Sequence, residues 1–127
     1  MITVKSIYAD ASETDGFRVL VEPVWPRKAP REKTVMNVWF RDLAPSPGLE
    51  SLYLRNRLNW DGFLMRYHRE LEGKRDFVRE LIEKNHEGSL TLLHGSLRDD
   101  QNTAVALKMF LEKGEEMPVG SRIMARS

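Results

Sequence analysis

Two short runs of consecutive apolar residues most constrain how this chain can fold. One is Val19-Leu20-Val21, in a strand predicted over residues 17–21, and the other is Leu92-Leu93, in a strand predicted over residues 89–94. Unbroken apolar runs are typical of strands buried on both faces, as in a parallel sheet covered by helices. A third strand is predicted over residues 2–8, where β-branched residues are frequent.

Helical blocks separate these strands. Apolar spacing predicts four helices, over residues 31–43, 59–71, 76–85 and 102–113. Asn59 is the predicted cap of the second helix, and Asp99 or Asp100 is that of the fourth. Residues 49–57 are predicted as a connecting segment. This order predicts an α/β fold: a single three-layer domain with a small, mainly parallel sheet flanked by helices. We expect the domain to span residues 1–127, with its core over about 2–113 and a tail, 114–127, that is loose or adds an edge strand through 122–124.

Composition excludes several classes of protein. The 20 basic and 19 acidic residues nearly cancel, so the charge of the whole chain gives no case for bulk binding to nucleic acid or to an acidic membrane. There is no cysteine, which excludes disulfides, thiolate nucleophiles and sulfur-based metal sites. The sequence shows neither a signal peptide nor a membrane span, and we therefore expect a cytoplasmic protein.

The exits of the second and third predicted strands are the expected ligand site. Ligands of open parallel sheets bind outside the carboxyl ends of the strands, where the order of the strands reverses. One exit carries Glu22, Trp25, Arg27 and Lys28, and the other carries Arg98 after Gly95-Ser96. The sequence therefore predicts a cleft between these two segments.

The residue types at these exits favour a small anionic or nucleotide-like ligand. Arg27, Lys28 and Arg98 are cations that could hold a phosphate or carboxylate, although surface pairing with acids is the alternative. Trp25 could stack on a base or sugar, or could plug the core. Glu22 is the best candidate for a catalytic acid or base, or for an acceptor of ribose hydroxyls, although pairing with a nearby arginine is its common role. None of these residues fixes a reaction.

The sequence motifs of several common catalytic, metal and nucleotide sites are absent. His94 and Ser96 are two residues apart without a nucleophile elbow, and the histidines lack the spacing of metal ligands. The glycines form neither a phosphate loop nor a dinucleotide fingerprint. No metal and no cofactor are therefore expected.

The order of short motifs along the chain resembles the bacterial and archaeal YeaO-like family of unknown function. The motifs are Trp25-Pro-Arg27, Leu43-Ala-Pro-Ser46, Trp60-Asp-Gly-Phe63, Tyr67-His-Arg-Glu-Leu71, Thr91-Leu-Leu93 and Asn102-Thr-Ala104. The resemblance implies a small cytoplasmic α/β protein and no established reaction, cofactor or partner. Where relatives usually have Val-Asp-Arg-Leu-Trp-Pro-Arg-Gly, this chain has Val21-Glu-Pro-Val-Trp-Pro-Arg-Lys28, so an activity that needs those groups is lost or altered here.

Two functions without catalysis remain as alternatives. The central helices carry many Lys and Arg residues near Trp60 and Tyr67, which is typical of a surface for nucleic acid, but interleaved acids favour a solvated face with salt bridges such as Glu80 to Lys84. Adjacent Trp39 and Phe40 point in different directions, so one ring could be offered to a protein partner. The sequence leaves the oligomeric state open.

Overall fold

The structure is a computed structural model that describes residues 1–31 and 34–116. Its strands are β1 (Ile2–Ser6), β2 (Phe17–Leu20), β3 (Val38–Trp39) and β4 (Leu90–His94). Its helices are α1 (Pro47–Leu54), α2 (Trp60–Glu72), α3 (Arg75–Glu87) and α4 (Thr103–Glu116), and short 3-10 turns lie at Glu13–Asp15 and Arg41–Leu43.

The four strands form one parallel sheet in the order β1-β4-β2-β3. The two apolar runs of the sequence are neighbours in it, with Val19 opposite Leu92 and Leu20 opposite Leu93. These central residues have no exposed surface, as their unbroken apolar pattern predicts. The prediction of an α/β fold with a mainly parallel sheet is confirmed.

The two faces of the sheet are covered differently. Val19 and Leu92 belong to a large apolar cluster that also holds the buried residues of all four helices. Leu20 and Leu93 belong to a smaller cluster on the opposite face, completed by Trp25, Met36, Trp39 and neighbours from non-helical segments. Successive side chains of a strand point to opposite faces, so the sheet is the middle layer between helices and an irregular cover.

The helix predicted over residues 31–43 is wrong. Residues 37–40 instead run along the free edge of β2 and contain β3: the Asn37 N–H donates to the Arg18 carbonyl at 2.8 Å, and the Phe40 N–H donates to the Leu20 carbonyl at 2.8 Å. Val35, Val38 and Trp39 favour extended backbone, and pairing satisfies an edge that would otherwise be open. Spacing alone could not show this edge.

Three of the described helices begin at a side-chain cap, and of these caps Asn59 was predicted correctly. Asn59 accepts the Gly62 N–H at 2.8 Å, which confirms the predicted cap of α2. The cap predicted at Asp99 or Asp100 is wrong, because Asn102 accepts the Val105 N–H at 2.9 Å and starts α4. The connecting segment predicted over 49–57 is also wrong, because Ser46 caps α1 with Pro47 at its first position. The edge strand predicted over 122–124 lies outside the described residues.

Gly16 permits the entry into β2. Its φ of +68° lies in the region that favours glycine, and a Cβ there would lie 2.2 Å from the Ser89 carbonyl oxygen. Because the two segments of the chain approach closely here, the Phe17 N–H donates to the carbonyl of Ser89, the residue before β4, at 2.9 Å. This hydrogen bond starts the pairing of β2 with β4.

Candidate functional site

A cleft of about 680 Å³ opens at the carboxyl ends of β2 and β4. This is the edge at which chain order reverses, since β4 returns between β1 and β2. The cleft is lined by residues of both strand exits, of α1 and of the starts of α2 and α4, including Glu22, Trp25, Pro26, Arg27, Glu50, Tyr53, Trp60, Gly95, Ser96, Arg98 and Asn102. The two exits that the sequence predicts to meet do lie together.

Gly95 and Pro26 hold the two exits against each other. A Cβ on Gly95 would lie 2.6 Å from the Cβ of Pro26, which is closer than such atoms approach in proteins. Only glycine leaves room for this contact without a shift of the backbone. The lack of a side chain at Gly95 therefore sets the geometry that places Arg27 and Arg98 around one cleft.

Glu22 enters the cleft directly after the central strand β2. Its Oε1 accepts the Gly95 N–H at 3.2 Å, and its backbone carbonyl accepts the Trp39 indole N–H at 2.7 Å. The pKa of Glu22 is raised from its ordinary 4.5 to about 7; burial is the main cause, the Gly95 hydrogen bond opposes the rise, and the charge of Glu50 contributes to it. At neutral pH the group can therefore hold or release a proton.

Glu50, in α1, is the second carboxyl group of the cleft. Its Oε2 is buried and has no hydrogen-bond partner among the described residues. Burial raises the pKa of Glu50 as well. We call Glu22 and Glu50 the acid pair, since they line the same cleft and interact electrostatically.

An aromatic wall, defined as Tyr53, Trp60 and Phe63, forms another side of the cleft. The ring centroids of Tyr53 and Phe63 lie 4.6 Å apart in a stacked arrangement, and those of Tyr53 and Trp60 lie 5.9 Å apart. Burial raises the pKa of Tyr53, while the nearby Arg98 charge lowers it. The wall thus presents aromatic surface close to a cation.

The candidate binding residues are distributed unevenly. Arg27 and Arg98 line the cleft and are exposed, and the Arg98 guanidinium lies 3.3 Å from the Asp100 carboxylate. Lys28 does not line the cleft; it is exposed and takes a φ of +63° in the turn that follows. Arg27 and Arg98 thus line one cleft and Lys28 lies apart from it, and a role of any of the three in binding stays a prediction.

Trp25 packs within the fold and also lines the cleft. Its indole N–H donates to the Ala29 carbonyl at 2.6 Å, and its ring meets that of Trp39 edge to face at 5.4 Å. The guanidinium of Arg31 lies 5.0 Å from the Trp25 ring centroid. The ring packs against the smaller apolar cluster and also lines the cleft, so its orientation is fixed by packing.

His94 and Ser96 do not form a nucleophile and base. The His94 Nδ1 accepts the Ser96 backbone N–H at 3.1 Å, whereas the Ser96 hydroxyl accepts the Arg98 N–H at 3.0 Å. Burial lowers the pKa of His94, and Asp99, 3.8 Å away, opposes this. These contacts shape the loop after β4.

The central helices show the paired charges of a solvated face. Arg75 pairs with Glu72 and Lys84 with Glu87, each at 3.5 Å, so Lys84 is paired with Glu87 where the sequence predicted Glu80. Tyr67 is fully buried and donates its hydroxyl to the Leu43 carbonyl at 2.5 Å. It cannot serve as a stacking platform for nucleic acid.

One ring of Trp39 and Phe40 was predicted to be available to a protein partner, but both rings pack within the fold. Phe40 joins the large cluster and meets Phe77 edge to face at 5.5 Å. Trp39 packs on the opposite face, with the Arg41 guanidinium 3.8 Å from its ring centroid. The two rings diverge as predicted, but both are used within the fold.

Glu50 and Tyr53 are two of the cleft residues that were not predicted from the sequence. Both lie in the segment predicted as a connection and found as α1. The sequence signal was Ser46-Pro47 followed by an apolar-rich stretch, which is typical of a capped helix start.

Comparison with known proteins identifies the family of this chain. Residues 1–119 match the family DUF488-N3i, which is described as the inactive DUF488-N3 subclade. The chain belongs to this family. The YeaO-like resemblance is confirmed by 27% identity over 110 residues to the uncharacterised protein YeaO of Escherichia coli, covering 87% of this chain and 96% of YeaO.

Mycobacterial relatives match a shorter part. The uncharacterised proteins Mb3100c of Mycobacterium bovis and Rv3073c of Mycobacterium tuberculosis are each 34% identical over 70 residues, covering 55% of this chain and 59% of theirs. No solved structure matches this chain. No helix in the described part of the chain is long and apolar enough to cross a membrane.

Proposed function

We propose that this DUF488-N3i protein binds a small, anionic, nucleotide-like ligand in the cleft at the strand exits and catalyses no reaction on it. One observation carries the proposal: a single cleft is lined by two exposed arginines, by the aromatic wall and by the acid pair. A volume of about 680 Å³ falls within the usual range of small-ligand sites. The description of the family as inactive supports binding without catalysis.

The cleft offers a different contact to each part of such a ligand. Arg27 and Arg98 would hold the anionic group at the exposed rim, where its charge stays partly hydrated. A planar base or sugar face would lie against Tyr53 and Trp60, since every base has a face that stacks on aromatic rings. Trp25 is fixed by its packing and adds a rigid edge. A cytoplasmic location, expected from the cysteine-free composition, is part of the same proposal.

A titration of binding tests this proposal. Isothermal titration calorimetry would use the four ribonucleoside monophosphates, ribose 5-phosphate and inorganic phosphate on the native protein and on Arg98→Ala. The matched control is Arg79→Ala, because Arg79 is 63% exposed and pairs with Asp76 at 3.5 Å, much as Arg98 is 60% exposed and pairs with Asp100 at 3.3 Å. We expect Arg98→Ala to weaken binding about 10-fold or more, with Arg79→Ala unchanged.

Two outcomes would refute the proposal. One is that none of the phosphorylated probes binds; the other is that Arg98→Ala and Arg79→Ala behave alike. Binding of short oligonucleotides with steep salt dependence, in place of the small probes, would instead favour the nucleic-acid alternative.

A second candidate function, a protein-interaction module, is favoured by the mouth of the cleft. Three apolar residues that line it are strongly exposed: Val24 at 68%, Leu54 at 69% and Leu97 at 100%. Exposed apolar residues grouped in one place are typical of contact surfaces. Light scattering tests this reading with a second copy of the chain as the partner: self-association of the native protein that is lost in Leu97→Ser supports it, and a monomer in both cases contradicts it.

A further inference from the structure

The acid pair contains a buried acceptor without a donor. Glu50 Oε2 is shielded from solvent and makes no hydrogen bond within the described residues, whereas Glu22 Oε1 is satisfied by the Gly95 N–H at 3.2 Å. Buried polar atoms in folded proteins are nearly always paired, and an exception within a cleft indicates a place for a ligand donor. Because Glu50 lines the cleft, a bound molecule can supply that donor.

Two acids in one cleft favour one kind of donor. Glu22 and Glu50 line the same cleft, and a carboxyl group accepts hydrogen bonds and can also donate one when it is protonated. The pKa of Glu22 is raised to about 7, mainly by burial, so this group can take either role near neutral pH. Two neighbouring hydroxyl groups, which each donate and accept, match this set.

A cation fits the pair less well. Arg27 and Arg98 line the same cleft and would repel a basic ligand group. Within residues 1–31 and 34–116, no group of three or more His, Cys, Asp or Glu side chains could hold a metal ion, so the pair lacks further ligands of this kind. Neutral hydroxyl donors avoid both difficulties.

We infer that the acid pair, Glu22 and Glu50, binds two neighbouring hydroxyl groups of the ligand, so that the cleft selects a ribose over a sugar that lacks the 2′- and 3′-hydroxyls. This inference rests on the proposed function and names its sugar specificity. The arginines then lie at the phosphate end of the ligand and the acid pair at its sugar.

Paired ligands test the inference. Calorimetry at pH 7 would compare each ribonucleoside monophosphate with its 2′,3′-dideoxy counterpart, in the presence of EDTA and then of Mg²⁺. We expect the dideoxy compound to bind the native protein at least about 10-fold more weakly, because it leaves the buried acceptors unpaired. In Glu50→Gln the ratio should fall towards one through weaker binding of the ribonucleotide.

Controls separate specificity from folding. Glu72→Gln removes an exposed carboxylate that pairs with Arg75 at 3.5 Å, and its ribose preference should equal that of the native protein. The thermal midpoint of each variant shows whether it is folded, and Glu22→Gln serves as a second variant of the pair if Glu50→Gln does not fold.

Each failure has its own meaning. A ribonucleotide that binds no better than its dideoxy counterpart, or a preference that Glu50→Gln and Glu22→Gln leave intact, overturns the inference while the proposed function stands. Binding that disappears in EDTA also overturns it, since a bridging cation would then explain the pair. Absence of binding by all ribonucleotides and ribose 5-phosphate overturns the proposed function, and the inference with it.

Discussion

Replacing Glu22 by glutamine should make the protein more stable in alkaline solution. The pKa of Glu22 is about 7 in the folded protein against an ordinary value of 4.5, mainly because burial disfavours the charged form. Between these two pH values the folded state holds a proton that the unfolded state has released. Stability from this group is therefore greatest at low pH and is lost as pH rises through about 7.

The expected size follows from the difference in pKa. A rise from 4.5 to about 7 corresponds to roughly 3 kcal/mol between full protonation and full ionisation. Most of this, about 2–3 kcal/mol, should develop between pH 5 and pH 8.5. Glutamine keeps an oxygen for the Gly95 N–H at 3.2 Å but carries no charge. For a chain of 127 residues the gain at pH 8.5 corresponds to roughly 8–10 °C in the thermal midpoint.

Urea denaturation of the native protein and of Glu22→Gln, measured at intervals from pH 5 to pH 8.5, provides the assay. The difference in unfolding free energy between the two proteins cancels other titrating groups such as His94, whose lowered pKa reduces stability as pH falls below about 6.5. Glu72→Gln, at an exposed position, should show no such trend. A difference that is flat with pH, or that grows towards low pH, would show that burial does not raise the pKa of Glu22 in the folded protein.

Three further changes test the structure around the cleft. Gly95→Ala should lower the thermal midpoint and weaken binding of ribonucleotides, because the new methyl group would lie 2.6 Å from the Pro26 Cβ; unchanged melting and binding would show that the two exits are free to separate. Asn102→Ala should cost about 1 kcal/mol in urea denaturation through loss of the α4 cap, and a change below about 0.3 kcal/mol would argue against that cap. Asp15→Asn should cost about 3 kcal/mol or more at neutral pH, since it leaves the buried Arg18 without its ion-pair partner. Because the pKa of Asp15 is lowered in the native protein, the difference in unfolding free energy between native protein and variant should shrink only as pH falls below about 4, and a difference that shrinks already between pH 7 and pH 5 would contradict this prediction.

Sequence reasoning was most successful where a local pattern allows only one kind of environment. The unbroken apolar residues around Leu20 and Leu93 suit only a strand covered on both faces, and they lie at the centre of the sheet. Asn59 was identified as a cap because the short amide side chain of asparagine readily accepts hydrogen bonds from nearby backbone N–H groups. The expectation that the exits of the two central strands meet followed from a general property of parallel sheets, whereas it left open whether Arg27 and Arg98 share one cleft.

Residues 34–40 show where local pattern misleads. Met36 and Phe40 have helical spacing, yet in the structure they belong to apolar clusters on opposite faces of the sheet. The open edge of β2 decides between helix and strand, and this edge exists only after the sheet has formed.

The parallel sheet, the family and the two segments that meet at the carboxyl edge of the sheet are predictable from the sequence. The other groups that line the cleft depend on tertiary packing. Packing places Glu50, from α1, in the same cleft as Glu22 and buries both carboxyl groups. The raised pKa of each carboxyl group is a property of that burial, because neither residue has a sequence neighbour that would produce it.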